Sequence, residues 1–446
     1  MDAAAKIRFE IMSRVQQGGI QYIELQFTDV EGMVKDIVIP AKEIDESLVK
    51  GIWFDGSSIE GFARVAESDM YLMPDPATFA VLPWQKGAEA TARLICDVYT
   101  PDGQSFGGDP RAALKRATGD AAKMGLAFTT GPEMEFFLLR PGADGAVIPP
   151  APHDDAGYFD APSEAVAELG RQMISALGAI GIDVEAMHHE VAGGQHEIDF
   201  RDSGVFVTAD NIVTFRVALK AIAKLNGFYG TFMPKPIAGM SGSGMHVHQG
   251  MRYAANGRDA FHDAGDPHGL SSLAKHFIAG QLAHARGACA ILAPLVNSYK
   301  RLFAGYEAPV HISWARINRA ALIRVPRAIE TGNTRVELRC PDPSCNPYLA
   351  FAVMLSTGLD GIRRELPLAE ANEENPYAAQ LPGTSMKDML PISLNAAIDA
   401  LEEDEVVCET LGPYISRRFI DAKRLEWEES HREVTPWELE KYLTRY

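Results

Sequence analysis

Long apolar runs are missing from this sequence. Nowhere do about 18 apolar residues follow one another, so no membrane-spanning helix is expected. Cysteine is scarce and poorly placed for cross-linking: Cys96, Cys289, Cys340, Cys345 and Cys408 form no C-x-x-C pair and no zinc spacing. An odd, scattered set argues against a disulfide framework and fits reduced thiols in a cytoplasmic protein. Positive charge is in deficit. The formal net charge of −18 argues against nucleic acid or an anionic membrane as partner. The opening residues Met1-Asp2-Ala3-Ala4-Ala5-Lys6-Ile7-Arg8 lack the apolar core of a signal peptide, and the sequence has no internal repeat or low-complexity segment.

What is present is a chain of 446 residues, 46% hydrophobic and 23% charged. That balance belongs to a globular protein, and the length exceeds one ordinary core. Two domains are therefore expected, 1–108 and 109–446. In the first, a helix reaching Gly18 precedes a half-buried strand, Tyr22 to Thr28, where Ile23, Leu25 and Phe27 alternate with Glu24, Gln26 and Thr28. Asp29-Val30-Glu31-Gly32 turns the chain into a second strand, and a turn-rich loop follows at Phe54-Asp55-Gly56-Ser57-Ser58-Ile59-Glu60-Gly61. Asp109-Pro110 reads as an N-cap with a first-turn proline. Strands and helices then alternate to about Asn346. The remainder is mostly helical and ends in a helical tail, Trp437 to Tyr446.

The chemistry begins at Gly131-Pro132-Glu133-Met134-Glu135-Phe136-Phe137-Leu138. Side chains alternate along a strand, so Glu133 and Glu135 share one face while Met134, Phe136 and Leu138 fill the other. Two like charges on a half-buried face cost free energy unless a cation or a proton neutralises them. A second acidic motif lies in His189-Glu190-Val191-Ala192-Gly193-Gly194-Gln195-His196-Glu197-Ile198-Asp199. With Ala192 to Gln195 as a hairpin loop, Glu190 is expected directly opposite Glu197. Four carboxylates without local basic partners suit a hard divalent cation, Mg²⁺ or Mn²⁺. The alternative, four solvated strand glutamates, is disfavoured by their apolar neighbours.

Ser241-Gly242-Ser243-Gly244-Met245-His246-Val247-His248 adds a Gly/Ser loop entering a strand, with His246 and His248 on one face. Between Arg301 and Arg339 seven arginines (301, 316, 319, 324, 327, 335, 339) outnumber three acids (Glu307, Glu330, Glu337). In so acidic a chain this is a concentrated anion site, and the guanidinium fork suits carboxylate and phosphate. Arg335, Glu337 and Arg339 alternate with Val336 and Leu338 and so face one side. Carboxylates, imidazoles, a glycine loop and an arginine cluster together point to metal-assisted phosphoryl transfer onto an acidic substrate.

These residues carry a resemblance. Phe54-Asp-Gly-Ser-Ser-Ile-Glu-Gly, Glu133-Met-Glu135, His188-His-Glu-Val-Ala-Gly-Gly-Gln-His-Glu, Gly242-Ser-Gly-Met-His-Val-His, Asn297-Ser-Tyr-Lys-Arg-Leu-Phe-Ala-Gly-Tyr-Glu-Ala-Pro, Asn318-Arg-Ala-Ala and Arg335-Val-Glu-Leu-Arg-Cys-Pro-Asp-Pro resemble the glutamine synthetases. They occur in that family's order over nearly the whole chain and match its type I, bacterial and archaeal, members. The resemblance implies an α+β fold, with a small N-terminal β-grasp-like domain and a large domain built on a curved antiparallel sheet with surrounding helices. It implies L-glutamate, ammonium and ATP as substrates, γ-glutamyl phosphate as intermediate, and Mg²⁺ or Mn²⁺ as cofactor. Glu135, Glu190 and Glu197 would hold one metal, and Glu133, His246 and Glu337 the other. Asp55 would bind ammonium, Glu307 would close a flap, and Arg319, Arg324 and Arg339 would steady the transferred phosphoryl group. Arg301 and Gly242 would bind glutamate, and His248 and Arg335 the nucleotide. Arg64 matches a position linked to glutamine feedback. The family also implies a dodecamer of two hexameric rings and small regulatory proteins as partners. Two departures stand out: Ser241 replaces an asparagine common in the family, and the insertion that marks the adenylylated subtype is missing. Tyr377, near the modification position, is therefore expected to stay unmodified.

Overall fold

The computed structural model describes residues 3–57, 69–303, 308–327, 333–373 and 386–446. Arg64, Glu307 and Tyr377 lie outside the described residues. The first sheet is built from β1 (Tyr22–Thr28), β2 (Val34–Pro40), β3 (Ile52–Asp55), β4 (Asp69–Pro74), β5 (Ala80–Val81) and β6 (Thr91–Tyr99). Its order is β2-β1-β6-β4-β3, with β5 also on β6. β1 runs antiparallel to β2 and parallel to β6. The period-2 pattern does what it predicts: Ile23, Leu25 and Phe27 are buried, and the helix Ala3–Gln17 adds Ile11 and Val15, one turn apart on one face. This core draws its buried members from Ile11 to Phe106.

The second sheet contains β7 (Leu126–Leu139), β8 (Val184–His189), β9 (Gln195–Phe200), β10 (Ser203–Gly204), β11 (Tyr229–Thr231), β12 (Met245–Tyr253), β13 (His311–Ala315), β14 (Ala321–Arg324) and β15 (Val336–Leu338). Its order is β13-β14-β15-β12-β7-β9-β8, and β10 and β11 also pair with β7. The pairs are antiparallel except for β13 with β14. The α+β expectation holds. β7 is central, and its Met134, Phe136 and Leu138 sit in the larger core with Leu169 and Met173 of one helix and Ile212 and Phe215 of another. The opposite face of β7 is left for Glu133 and Glu135.

Asp109 caps the helix Pro110–Lys123 through the Arg111 amide. The Arg111 side chain ties the two cores together. It bonds Asp97 at 2.8 Å and Asp75 at 3.0 Å on one side, and Asp210 of the helix Val205–Leu225 at 2.8 Å on the other. A guanidinium only 2% exposed needs such partners, because an unpaired buried charge is costly. The last helix is shorter than the sequence suggests. It spans Pro436–Tyr442 and starts from a Thr435–Glu438 capping box.

Candidate active site

Register brings the polar residues together. In the β7–β12 ladder Glu133 pairs with His246, and in the β7–β9 ladder Glu133 pairs with Asp199 and Glu135 with Glu197. On the far side of β12, His248 pairs with Glu337 of β15. Four adjacent strands therefore present their polar alternates on one face. Glu133, His248 and Glu337 bring ligand atoms within 4.8 Å of one another, as do Glu133, Glu197 and His246, and His188, Glu197 and Asp199.

The two glutamates of β7 live in opposite electrostatic settings. His248 Nε2 lies 2.7 Å and His246 Nδ1 3.3 Å from the Glu133 carboxylate. Burial works against its charge, but these hydrogen bonds prevail and hold Glu133 well below the usual carboxylate range. Glu135 is buried facing Glu197 and near Glu190. Burial and their charges push its pKa far up. Its Oε2 accepts from the Gly244 amide and from Gln195 Nε2, each at 2.9 Å, which leaves Oε1 to face His246 Nε2 at 3.9 Å. Burial, then the charges of Glu133, Asp199 and Glu190, raise Glu197 to about 10. Burial and Glu133 raise Asp199 to about 6, and its Oδ1 is buried with no hydrogen-bond partner. Burial and Arg339 lower His246 to about 4, so it stands as a neutral imidazole near neutral pH. Raised carboxylates, a neutral imidazole and an unpartnered buried oxygen fit a divalent cation, whose charge would restore the carboxylates to their ionised form.

The glycine loop packs on an arginine. A Cβ on Gly242 would fall 2.5 Å from the Pro234 carbonyl, and one on Gly244 would run into the Arg301 guanidinium. Arg301 itself is buried and donates to the carbonyls of Arg339 and Cys340 at 3.0 and 2.9 Å. Glu337 has no exposed side-chain surface. Arg324 bonds one of its oxygens at 2.5 Å and Arg339 bonds the other. Burial opposes the Glu337 charge, but Arg339, His248 and His246 outweigh it and keep the carboxylate ionised.

Residues 107–442 match the family model "Glutamine synthetase, catalytic domain", and residues 19–101 match "Glutamine synthetase, beta-Grasp domain". The chain belongs to the glutamine synthetase family. Proteins named "Glutamine synthetase" are 45% identical in Methanosarcina mazei, over 98% of this chain and 97% of that one, and 47% identical in Thermotoga maritima, over 96% and 98%. The solved structure "GmaS/ADP complex-Conformation 1" superposes with a TM-score of 0.87 at 32% identity, covering 97% of this chain and 99% of that one. Members of the glutamine synthetase family are ligases that use ATP and divalent metals. The small sheet of residues 22–99 is the family's β-grasp unit.

The β8–β9 register differs from the one that a hairpin loop at Ala192 to Gln195 predicts. Glu190 does not face Glu197. β8 ends at His189, which pairs with His196, so His188 stands opposite Glu197 with its Nε2 3.1 Å from that carboxylate. The register is shifted by two residues, which preserves which face each side chain takes. Glu190 therefore still joins the acidic face from the loop, with Oε1 3.9 Å from His188 Nδ1. His188 and Asp199 are also in the cluster, although the sequence motifs that contain them assign neither a role; alternation from Glu197 along β9 marks Asp199, and from Glu190 along β8 marks His188. Arg319 hydrogen-bonds Tyr158, beside the Glu190 and Glu197 charges, and Arg335 pairs with Asp202 at 3.4 Å. Asp55 is not with the cluster. It ends β3 on the other sheet, where its carboxylate accepts from the Ser57 amide at 2.8 Å.

Proposed function

We propose that this chain catalyses the ATP-dependent amidation of L-glutamate by ammonia, giving L-glutamine, ADP and phosphate through γ-glutamyl phosphate. The observation that carries this reading is the contrast between neighbours on β7: Glu133 is held ionised by two imidazoles, while Glu135 confronts Glu197 and Glu190. That contrast supports two cation positions side by side. Glu135, Glu190 and Glu197 would hold the one that organises glutamate and ammonium, and Glu133, His246 and Glu337 the one that takes the ATP phosphates. The bound Mg²⁺ or Mn²⁺ ions supply charge neutralisation and orientation for phosphoryl transfer.

The protein's own residues do the rest. Arg339, Arg324 and Arg319 stabilise the charge spread over the transferred phosphoryl group. Arg301 and Gly242 seat the glutamate, His248 and Arg335 the nucleotide. Asp55 binds ammonium and accepts its proton, and Glu307 belongs to a flap that shields the acyl phosphate from water. From the family resemblance the reading includes a shared site: residues 1–108, which carry Asp55, complete the neighbouring subunit's catalytic unit, 109–446, in a dodecamer of stacked hexameric rings, with the tail docking into the opposite ring. Glutamine feedback through Arg64, binding of small regulatory proteins and a cytoplasmic location complete it. Among the described residues no helix is long and apolar enough to cross a membrane.

A coupled ADP-release assay with glutamate, comparing ammonium with putrescine and ethylamine, tests the reaction. Turnover with ammonium is expected. Turnover only with an amine would assign the chain to γ-glutamyl-amine ligation, and none with any acceptor would make it a non-catalytic relative.

A further inference from the structure

Beneath the Glu190 hairpin lies a group of polar side chains that the proposed reaction does not use: the buried His153, His189 and His196 and the half-buried Asp154. The spacing suits a metal, but the ring geometry does not. His153 and His196 meet Nε2 to Nε2 at 2.8 Å with ring planes 10° apart and centroids 5.1 Å apart. Two rings aligned head to head share one N–H···N bond and leave no space between the nitrogens for an ion. The cluster is a hydrogen-bonded brace.

Asp154 is its centre. Its Oδ1 accepts from the Gly194 amide at 2.8 Å and faces His189 Nε2 at 3.1 Å, while its Oδ2 faces His153 Nδ1 at 3.2 Å. His189 immediately precedes Glu190, and its Nδ1 donates to the Glu190 carbonyl at 2.7 Å. One carboxylate thus grips the entry and the exit of the loop that carries Glu190. The loop also lies hard against the same segment: a Cβ on Gly193 would come 2.7 Å from the Asp154 carbonyl and 3.2 Å from the Asp155 Cα. At its exit Gln195 donates both to Glu135 and to the Gly242 carbonyl.

We infer that Asp154 is a positioning residue, which fixes Glu190 at the cation site formed with Glu135 and Glu197. This rests on the proposed role of Glu190 as a metal ligand. An Asp154→Asn amide keeps the size but removes the negative charge and replaces one of the two carboxylate oxygens, which between them meet the Gly194 amide, His189 and His153, with an N–H donor, so the loop loosens. Gly193→Ala pushes the same loop off the same segment and changes no charge.

The test measures the activation constant for Mn²⁺, the KM values for glutamate and ATP, and the melting temperature, for wild type, Asp154→Asn, Gly193→Ala and Glu190→Gln. Loss of an outer partner of a metal site typically weakens metal affinity about 10- to 100-fold. Both loop variants are expected to raise the Mn²⁺ constant about tenfold and the glutamate KM with it, leaving ATP KM within about twofold. Unchanged metal and glutamate constants in both loop variants, with Glu190→Gln impaired, would overturn the positioning role alone. ATP KM rising in step with the metal constant would also overturn it, because a general loss of structure moves every constant. An unimpaired Glu190→Gln would instead remove the ligand role on which the inference rests.

Discussion

Glu135 and Glu197 stand directly opposite each other in the β7–β9 ladder, and both are buried. Directly opposed like charges destabilise a sheet unless a proton or a cation intervenes. Burial raises both carboxyls, joined at Glu135 by the charges of Glu197 and Glu190 and at Glu197 by those of Glu133, Asp199 and Glu190, which take Glu197 from 4.5 to about 10. A carboxyl whose folded pKa exceeds its unfolded one binds its proton more tightly when folded, so stability falls as pH rises between the two values. Metal-free protein is therefore expected to lose melting temperature steadily from about pH 4.5 toward alkaline pH, and saturating Mg²⁺ to restore it. A ligand at 100 times its Kd contributes about 2.7 kcal/mol. Glu197→Gln removes one of the opposed carboxyls and with it the cost of protonating that group above pH 4.5, so near neutral pH this variant should melt above wild type without metal and gain less from Mg²⁺. Calorimetry of chelator-treated protein checks both. A metal-free melting temperature independent of pH would count against the pair.

Glu133→Ala and Glu135→Ala should part company. Glu133 is bonded by His248 and His246, toward β15 and its arginine-clamped Glu337, whereas Glu135 belongs with Gln195, Gly244 and Glu197. Steady-state kinetics should give Glu133→Ala mainly an ATP defect, and Glu135→Ala mainly a glutamate and ammonium defect. For each variant the affected KM should rise about tenfold or more while the other stays within a few-fold. Equal loss of both in either variant would contradict two separate cation positions.

The sequence made the face of β7 legible because alternation is a local property. The apolar set Met134, Phe136 and Leu138 left Glu133 and Glu135 only one side to occupy. The β8–β9 register was not legible to better than two residues. Glycine at 193 and 194 suggested a loop centred there, but Gln195 is drawn into β9 by side-chain bonds to Glu135 and Gly242, and Asp154 holds Gly194 from 40 residues away. Such contacts leave no periodic trace. The same reason hid Asp154 and His153, which sit in a loop dense in proline, glycine and aspartate. The Arg324–Glu337–Arg339 clamp was half visible: arginine density announced an anion site, whereas the burial of Glu337 between two of those arginines follows only from strand order.

His284 offers a second pH dependence, of the same sign as that of Glu197 but arising from an ion pair rather than from repulsion. Its Nδ1 lies 2.9 Å from Asp404 and its Nε2 3.0 Å from Asp360, which Arg364 also contacts. Asp404 in turn caps the helix Glu405–Leu411. Burial disfavours the imidazolium, but the two carboxylates outweigh it and raise the pKa above 6.5. The clamp's contribution is thus full below about pH 6.5 and fades as pH rises through the folded value. In saturating Mg²⁺, which holds the metal sites constant, the melting-temperature gap between wild type and His284→Gln should be widest at pH 6 and narrow toward pH 9. A gap that does not change with pH would mean that the histidine acts only by packing.

Asp55 tests the shared-site arrangement without imaging. It ends β3 in the first sheet, apart from the carboxylate face of β7 and β9. If each site takes Asp55 from one subunit and Glu197 from the next, Asp55→Ala and Glu197→Ala chains should each be nearly inactive alone yet complement each other when co-assembled. In a closed ring with random, equal incorporation, about a quarter of the sites draw both intact residues. Co-expression or mixed refolding should therefore recover about a quarter of wild-type specific activity. Recovery that scales with the product of the two chain fractions would support pairing between neighbours. If every site were built within one chain, each mixed assembly would contain only defective sites, and activity would stay at the level of the separate variants at every mixing ratio.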